Sequence, residues 1–376
     1  MNKEYAKKLK EASLLDYVWK HDDWLTIPKI DPKFLSLSNA ILDRENSLFN
    51  TFGDKSFQEI VADNMANEIK KSWAIEDITL DLSALRSLIV NFLNFDIPEW
   101  QIDTGNRFKI EGSAVEATLS FLNSKEKFSF YQVLTTHKLL KNPSEDIHWG
   151  SIRKYGIHVL SSQSDDIKID YVGPSPELLP KMLEEFVSWW DESRRELPRP
   201  IGSALAHLYF VVIHPFENGN GRISRMLADK YLIEDSKPET LYRPYSISNE
   251  IYKNTNMYYD SIRKFSSDFI LYPYLDYILN CHYNAVKDAN FRLYYLQEMK
   301  NNFGELWHKF TNDEKLILRF YASNMNKNIS SNIKSYISHN QNLEKALNSL
   351  LKSGIIANNK INYSKAEKFF NTGSKK

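Results

Sequence analysis

The twelve residues from His214 to Arg225, His-Pro-Phe-Glu-Asn-Gly-Asn-Gly-Arg-Ile-Ser-Arg, put a proton acceptor, a glycine turn and two guanidiniums into one short segment. An apolar run, Ala204 to Ile213, predicts a helix that runs into Pro215, which lacks an amide donor and disfavours helix at the residue before it. His214 is therefore presented at a helix end. Gly219-Asn220-Gly221 can adopt positive φ and bring bare backbone amides close to an anion. A second helix is predicted to begin near Arg222, where its free amides and dipole favour a phosphate. Arg222 and Arg225 lie three apart and share a face of that helix, so both can reach one polyphosphate. The glycine pattern lacks the third glycine and flanking strands of a dinucleotide site, and it lacks the Lys-Ser/Thr of a P-loop. The chemistry indicated is a base beside a phosphate cradle.

The string resembles the Fic family signature: His-Pro-Phe, any residue, Asp or Glu, Gly-Asn-Gly-Arg, and Arg three further on. The resemblance implies a mainly α protein, a Fic-type helical bundle with a small β-hairpin flap, in which this loop joins two central helices. It implies ATP and Mg²⁺ as cofactors and transfer of AMP to a Ser, Thr or Tyr hydroxyl of a target protein. His214 would take the hydroxyl proton, and that oxygen would attack the α-phosphate as pyrophosphate leaves. Phe216, Asn218, Gly219, Asn220, Gly221, Arg222 and Arg225 would hold the nucleotide. Neutral imidazole is the working state, and a histidine near its ordinary pKa suits it. Asn218 stands where the family carries the acid that helps bind Mg²⁺. Its carbonyl is a hard but uncharged ligand, and Glu217 could compensate if the loop turned differently.

Far upstream, Ser72-Trp73-Ala74-Ile75-Glu76-Asp77 resembles the Fic inhibitory motif: Ser/Thr, three residues, Glu, then Gly or Asn. The resemblance implies that Glu76, with Ser72 beside it, pairs with Arg225 and denies the γ-phosphate its productive position. The same glutamate could place water for removing AMP. Tyr258 and Tyr259 resemble a segment lining the adenine pocket in relatives. The flap would dock the target peptide by adding its backbone to a strand edge, with 167–171 the best candidate. A different nucleotide or phosphate donor is the alternative within the family. A nucleotide-sensing DNA-binding regulator is the alternative outside it.

The elements that must position these groups read as helices. Glycine is scarce, at 12 of 376 residues, and apolar residues recur with helical period over Phe57 to Ile75, Leu178 to Trp190, Ser203 to Ile213, Ile223 to Ile233 and Tyr274 to Lys287. Pro98, Pro143, Pro174, Pro198 and Pro200 punctuate them. Ile167-Lys-Ile-Asp-Tyr171 alternates, and with Gly156 to Leu160 it predicts a small hairpin. Tyr17, Trp19 and Trp24 lie in a stretch similar to an N-terminal extension of one bacterial Fic subgroup; the tryptophans are expected to be packing anchors. From Lys309 onward, twelve Lys/Arg face four Asp/Glu. Phe310 to Ser323, Ser331 to Ser338 and Asn342 to Leu351 predict three short helices, and Gly354 precedes an extended piece. That order resembles a winged helix-turn-helix module, which could bind DNA, bind a protein, or act as a support. The expected division is 1–100 with the inhibitory helix, 101–290 as catalytic core, and 305–376 as the winged module. Equal numbers of basic and acidic residues, 48 of each, indicate no global field for nucleic acid or anionic lipid. The lone Cys281, and the absence of a signal-like start or of an apolar run approaching ~20 residues, give the expectation of a cytoplasmic protein; a homodimer burying the inhibitory helix is compatible with it.

Overall fold

The structure, a computed structural model, describes residues 3–49, 55–95, 109–142, 145–163, 166–233, 243–323, 333, 337 and 341–372. It is mainly α, as expected. The predicted breaks at Pro98 and Pro143 and most of the predicted helix from Ser331 to Ser338 lie outside these residues.

At its centre α8 (Arg199–Ile213) packs against α9 (Asn220–Ile233). Thirteen of the fifteen residues of α8 are buried, which is why its sequence is apolar nearly all round rather than on one stripe. Ser203 Oγ donates to the Ala228 carbonyl at 2.8 Å and ties the pair. α7 (Leu179–Glu196) covers α8 with Phe186, Trp189 and Trp190, whose rings meet Tyr209, Phe210 and Tyr231. α12 (Tyr272–Phe303) and α2 (Pro32–Phe49) close the other side.

α3 (Lys55–Ala74) lies against α9 and carries the inhibitory-like segment at its end. A polar stripe recurs every four residues along it: Asn64, Glu68 and Ser72, continued by Glu76 just beyond the helix. Asn64 Nδ2 donates to the Pro244 carbonyl at 2.7 Å. Glu68 accepts from Ser246 Oγ and the Ser248 amide, both at 2.9 Å, and so caps α10 (Ile247–Tyr252).

The predicted hairpin forms: β1 (His158–Gln163) pairs antiparallel with β2 (Asp166–Val172), with an irregularity between Val159 and Leu160. Ile169 and Tyr171 are buried while Lys168 is exposed, the alternation read from the sequence. Trp19 anchors this hairpin by donating its indole N–H to the Val172 carbonyl at 3.1 Å, and Tyr17 meets the Tyr171 ring edge-on at 5.2 Å. Beyond α12 the chain forms α13 (Asn312–Ser323), α14 (Gln341–Lys352), a two-residue hairpin of β3 (Ile356–Ala357) with β4 (Lys360–Ile361), and α15 (Ala366–Thr372). Gly354, at φ 73°, follows the end of α14. No helix among the described residues is long and apolar enough to cross a membrane.

Candidate active site

His214 ends α8 in the left-handed region, φ 50° and ψ 57°, its amide still donating to Phe210 at 3.0 Å. For a residue with a Cβ this conformation costs roughly 1–2 kcal/mol, so neighbouring contacts must hold it. They do so with three hydrogen bonds from two segments. Arg153 Nε donates to the His214 carbonyl at 2.8 Å, the Arg153 amide donates to Pro215 at 2.9 Å, and the Tyr171 hydroxyl donates to Val212. His214 Nδ1 lies 3.0 Å from the Val211 carbonyl, so Nδ1 carries the proton and Nε2 keeps its lone pair. Burial pushes the imidazole down to about 4, helped by the Arg153 charge and opposed by the Val211 bond and Glu76. The expectation of an ordinary histidine pKa is thus corrected. The ring is neutral at pH 7 because an imidazolium would be buried beside a guanidinium.

The loop after Pro215 is shaped from inside. Asn220 closes it, its Oδ1 accepting from the Phe216 amide at 2.9 Å and its Nδ2 donating to the Phe216 carbonyl at 2.8 Å. Both ends of that amide are occupied, so the side chain sets the loop rather than reaching out to a phosphate. The His137 ring stacks on Phe216 at 3.8 Å. Its Nε2 donates to the Asn218 carbonyl at 3.0 Å and its Nδ1 accepts from the Gly150 amide at 2.8 Å. The Gly150 bond needs the neutral ring, and burial holds His137 down at about 4. Sequence reading passed over His137 and Arg153 because they lie 81 and 61 residues from the atoms they hold.

The second helix begins at Asn220, two residues earlier than predicted, with Gly219 at φ 79° before it. Arg222 is fully buried and Arg225 is 4% exposed. Glu76 bridges both: Oε2 accepts from Arg222 Nε and Oε1 from Arg225 Nη2, each at 2.8 Å. The sequence had paired it with Arg225 alone. Ser72 also holds Arg225, with Oγ accepting from Nε at 2.8 Å and the carbonyl accepting from Nη2 at 2.6 Å. The Trp73 ring lies 4.5 Å from the Arg222 guanidinium. Gly221 is required here by close approach, since a Cβ would overlap the Glu76 carboxylate. Asp77 takes a left-handed φ of 61°, which explains why the residue after such a glutamate must be one that tolerates this region.

Asn218 Nδ2 donates to Glu145 Oε2 at 2.7 Å, and its Oδ1 accepts from the Gly219 amide at 2.6 Å and from Arg222 Nη2 at 3.3 Å. Glu217 is turned to His148, accepting from its backbone amide at 3.1 Å with the ring Nδ1 at 3.2 Å, so it does not replace the missing acid. No group of three or more His, Cys, Asp or Glu that could hold a metal occurs among the described residues. Tyr259 is half exposed, and its hydroxyl donates to the Ile75 carbonyl at 3.1 Å. Tyr258, expected beside the nucleotide, is 1% exposed, with its hydroxyl 2.8 Å from His207 Nε2 and the Arg225 guanidinium close enough to act on it. Packing of α11 (Thr255–Asp268) against α12 turns it inward.

Residues 127–232 match the Fic/DOC family model. Over 262 residues the chain is 23% identical to a protein adenylyltransferase Fic of Nematostella vectensis, covering 68% of this chain and 56% of that relative. The chain spans about half the length of the curated relatives it matches, 56% and 51% for two of them. Among solved structures, a Fic family protein from Desulfovibrio desulfuricans G20 superposes with a TM-score of 0.56 at 19% identity, covering 86% of each chain. Fic-1 from Caenorhabditis elegans gives 0.51 at 21% identity, covering 72% of this chain and 74% of that one. The mainly α fold built around α8 and α9 is the fold of Fic proteins, and the loop and the two arginines described above lie in the segment that the Fic/DOC family model matches.

Proposed function

We propose that this protein transfers AMP from ATP to a hydroxyl of a target protein, and that Glu76 restrains the reaction. The observation that carries the reading is the pair of buried guanidiniums bridged by one carboxylate, beside a histidine whose Nε2 is kept neutral. Two arginines with almost no exposure need an anion, because leaving a buried charge unpaired costs about 3–5 kcal/mol. Glu76 supplies that anion at rest, and the polyphosphate of ATP supplies it in the working state. Arg222 Nη1, buried and without a hydrogen-bond partner among the described residues, offers a further donor to phosphate. Relatives named protein adenylyltransferase support ATP as donor.

His214 Nε2 accepts the proton of the attacking hydroxyl, and Nδ1 holds the ring in register through Val211. The amides at the start of α9, with Arg222 and Arg225, stabilise charge on the phosphates. Mg²⁺ carried by the nucleotide would be held by Asn218 once its Oδ1 gives up the Gly219 amide and Arg222 Nη2 that it accepts from here, with the Glu145 carboxylate, 2.7 Å from the Asn218 amide, and phosphate oxygens completing the set. When bound, it would neutralise phosphate charge. The acceptor chain would dock on the hairpin near 167–171, since the hairpin is two-stranded and pairs with no other strand among the described residues, although the helix Lys3–Ser13 packs against β2.

The test is Glu76→Gly given α-labelled ATP. Label should enter the chain itself or an added protein at least ~10-fold faster than in the parent, a release worth about 1.4 kcal/mol. His214→Ala on that background should abolish it. Absence of label at every Mg²⁺ or Mn²⁺ concentration would end the transferase reading.

A further inference from the structure

Arg153 is 2% exposed and sits between α6 (Phe130–Leu139) and the hairpin. Its guanidinium donates to three backbone carbonyls: Nε to His214 at 2.8 Å, Nη1 to Tyr155 at 2.9 Å and Nη2 to Pro174 at 2.6 Å. It makes no ion pair with a carboxylate among the described residues. A buried charge with no carboxylate in contact, Glu177 acting on it only through space, is an expensive way to fill space, since an apolar residue would pack there without desolvation. Its geometry accounts for its presence. A planar fork can hold three carbonyls that belong to separate segments in one fixed relation, which a lysine cannot. Those segments are the chain entering β1, the chain leaving β2, and the left-handed turn at His214. Gly173 closes the same junction, donating to the Ile157 carbonyl at 3.0 Å.

We propose that Arg153 is a positioning residue that locks the β1–β2 hairpin to the turn at His214, so that the edge receiving an acceptor chain and the imidazole receiving its proton keep one register. The inference rests on the transferase reading above and extends it to a residue outside the family-like string. Three side chains act on the imidazole besides the Val211 carbonyl: Arg153 from the segment before β1, Glu76 from beyond α3, and the Tyr171 ring of β2, 6.3 Å away. Losing the fork frees the His214 carbonyl, loosens the turn and removes the nearby positive charge, so the ring gains a proton more readily. Nucleotide contacts, which come from α9 and its loop, stay in place.

The experiment compares Arg153→Gln, Arg153→Lys and Gly173→Ala on the Glu76→Gly background. The alanine methyl would meet Ile157 Cγ2 at 2.7 Å and Arg153 Nη2 at 3.2 Å, disturbing the junction while keeping the charge. Self-labelling from α-labelled ATP should fall about 100-fold for Gln, about 10-fold for Lys, and by a smaller factor for Ala, with the Kd for ATP within about threefold. Histidine ¹⁵N spectra should show the His214 titration moving upward and its Nδ1–H tautomer losing dominance in the Gln variant, with thermal melts confirming a folded chain. Unchanged labelling together with an unchanged His214 titration overturns the proposal, as does loss of ATP binding in parallel with rate. The spectra need no turnover. A Glu76→Gly protein that transfers nothing therefore removes the transferase reading, while the ring's response still decides the role of Arg153.

Discussion

A half-buried, neutral histidine at a strained turn behaves differently from a solvated one. His214 is depressed to about 4, so the proton-accepting form persists well below the usual histidine range. In the Glu76→Gly protein the acid limb of kcat/KM for AMP transfer, which reports the nucleotide-free enzyme, should lie at or below about pH 4, because removing that carboxylate takes away a group that raises the ring's pKa. A limb near 6.5 in a rate–pH profile would show the ring to be solvated in the working enzyme. The two asparagines of the loop divide the labour in a way their types alone do not reveal. Asn220 is a brace whose amide is consumed by Phe216, and Asn218 is the residue that faces a carboxylate, Glu145, from another segment.

At the scale of elements, α3 is held along its whole polar stripe and not only at Glu76. Asn64, Glu68 and Ser72 recur every four residues and so lie on one face, and each finds a partner on the segment before α10, on α10 itself or on α9. Removing the buried Glu68 carboxylate leaves the Ser248 amide and two hydroxyls short of an acceptor, a loss of about 1–3 kcal/mol. Glu68→Ala should therefore raise label transfer by up to ~10-fold in the parent. It should add nothing to Glu76→Gly, where the restraint is already gone. An equal gain in both backgrounds, measured in one assay, would mean that Glu68 acts on the site without passing through α3. Among the described residues the basic stretch after Lys309 forms α13, α14, the β3–β4 hairpin and α15.

The whole molecule buries several ionisable groups in their neutral form, and this sets its acid stability. His137 and His214 titrate near 4 and His207 near 3 against an ordinary 6.5, chiefly through burial. A basic group with a depressed folded pKa gives stability that is present above 6.5 and lost as pH falls towards the folded value, since the unfolded chain takes up the proton first. Melting temperature should decline steadily from pH 6.5 to 4, and a flat profile would contradict the burial of these rings. Glu45 works with the same sign at lower pH. Burial would raise it, but the His282 hydrogen bond and the nearby Tyr245 and Arg243 outweigh burial and keep it ionised. Glu45→Ala should cost about 3–5 kcal/mol in denaturant melts, because it strips the buried partner from His282 and Tyr245.

What the chain determined by itself was local. Hydrophobic period marked α3, α7, α8, α9 and α12, alternation marked β2, and one contiguous string from His214 to Arg225 carried the base, the turn and both arginines. Such features are readable because spacing along a helix or strand fixes direction in space. Only the tertiary structure decided that Glu76 bridges both arginines, that Tyr258 turns into the core, that Glu217 leaves the loop for His148, and that Arg153 and His137 hold the site from distant segments. Those outcomes depend on which surfaces meet when α8, α9 and their neighbours pack. A side chain's partner, its burial and hence its protonation are set by that meeting, which no local pattern encodes.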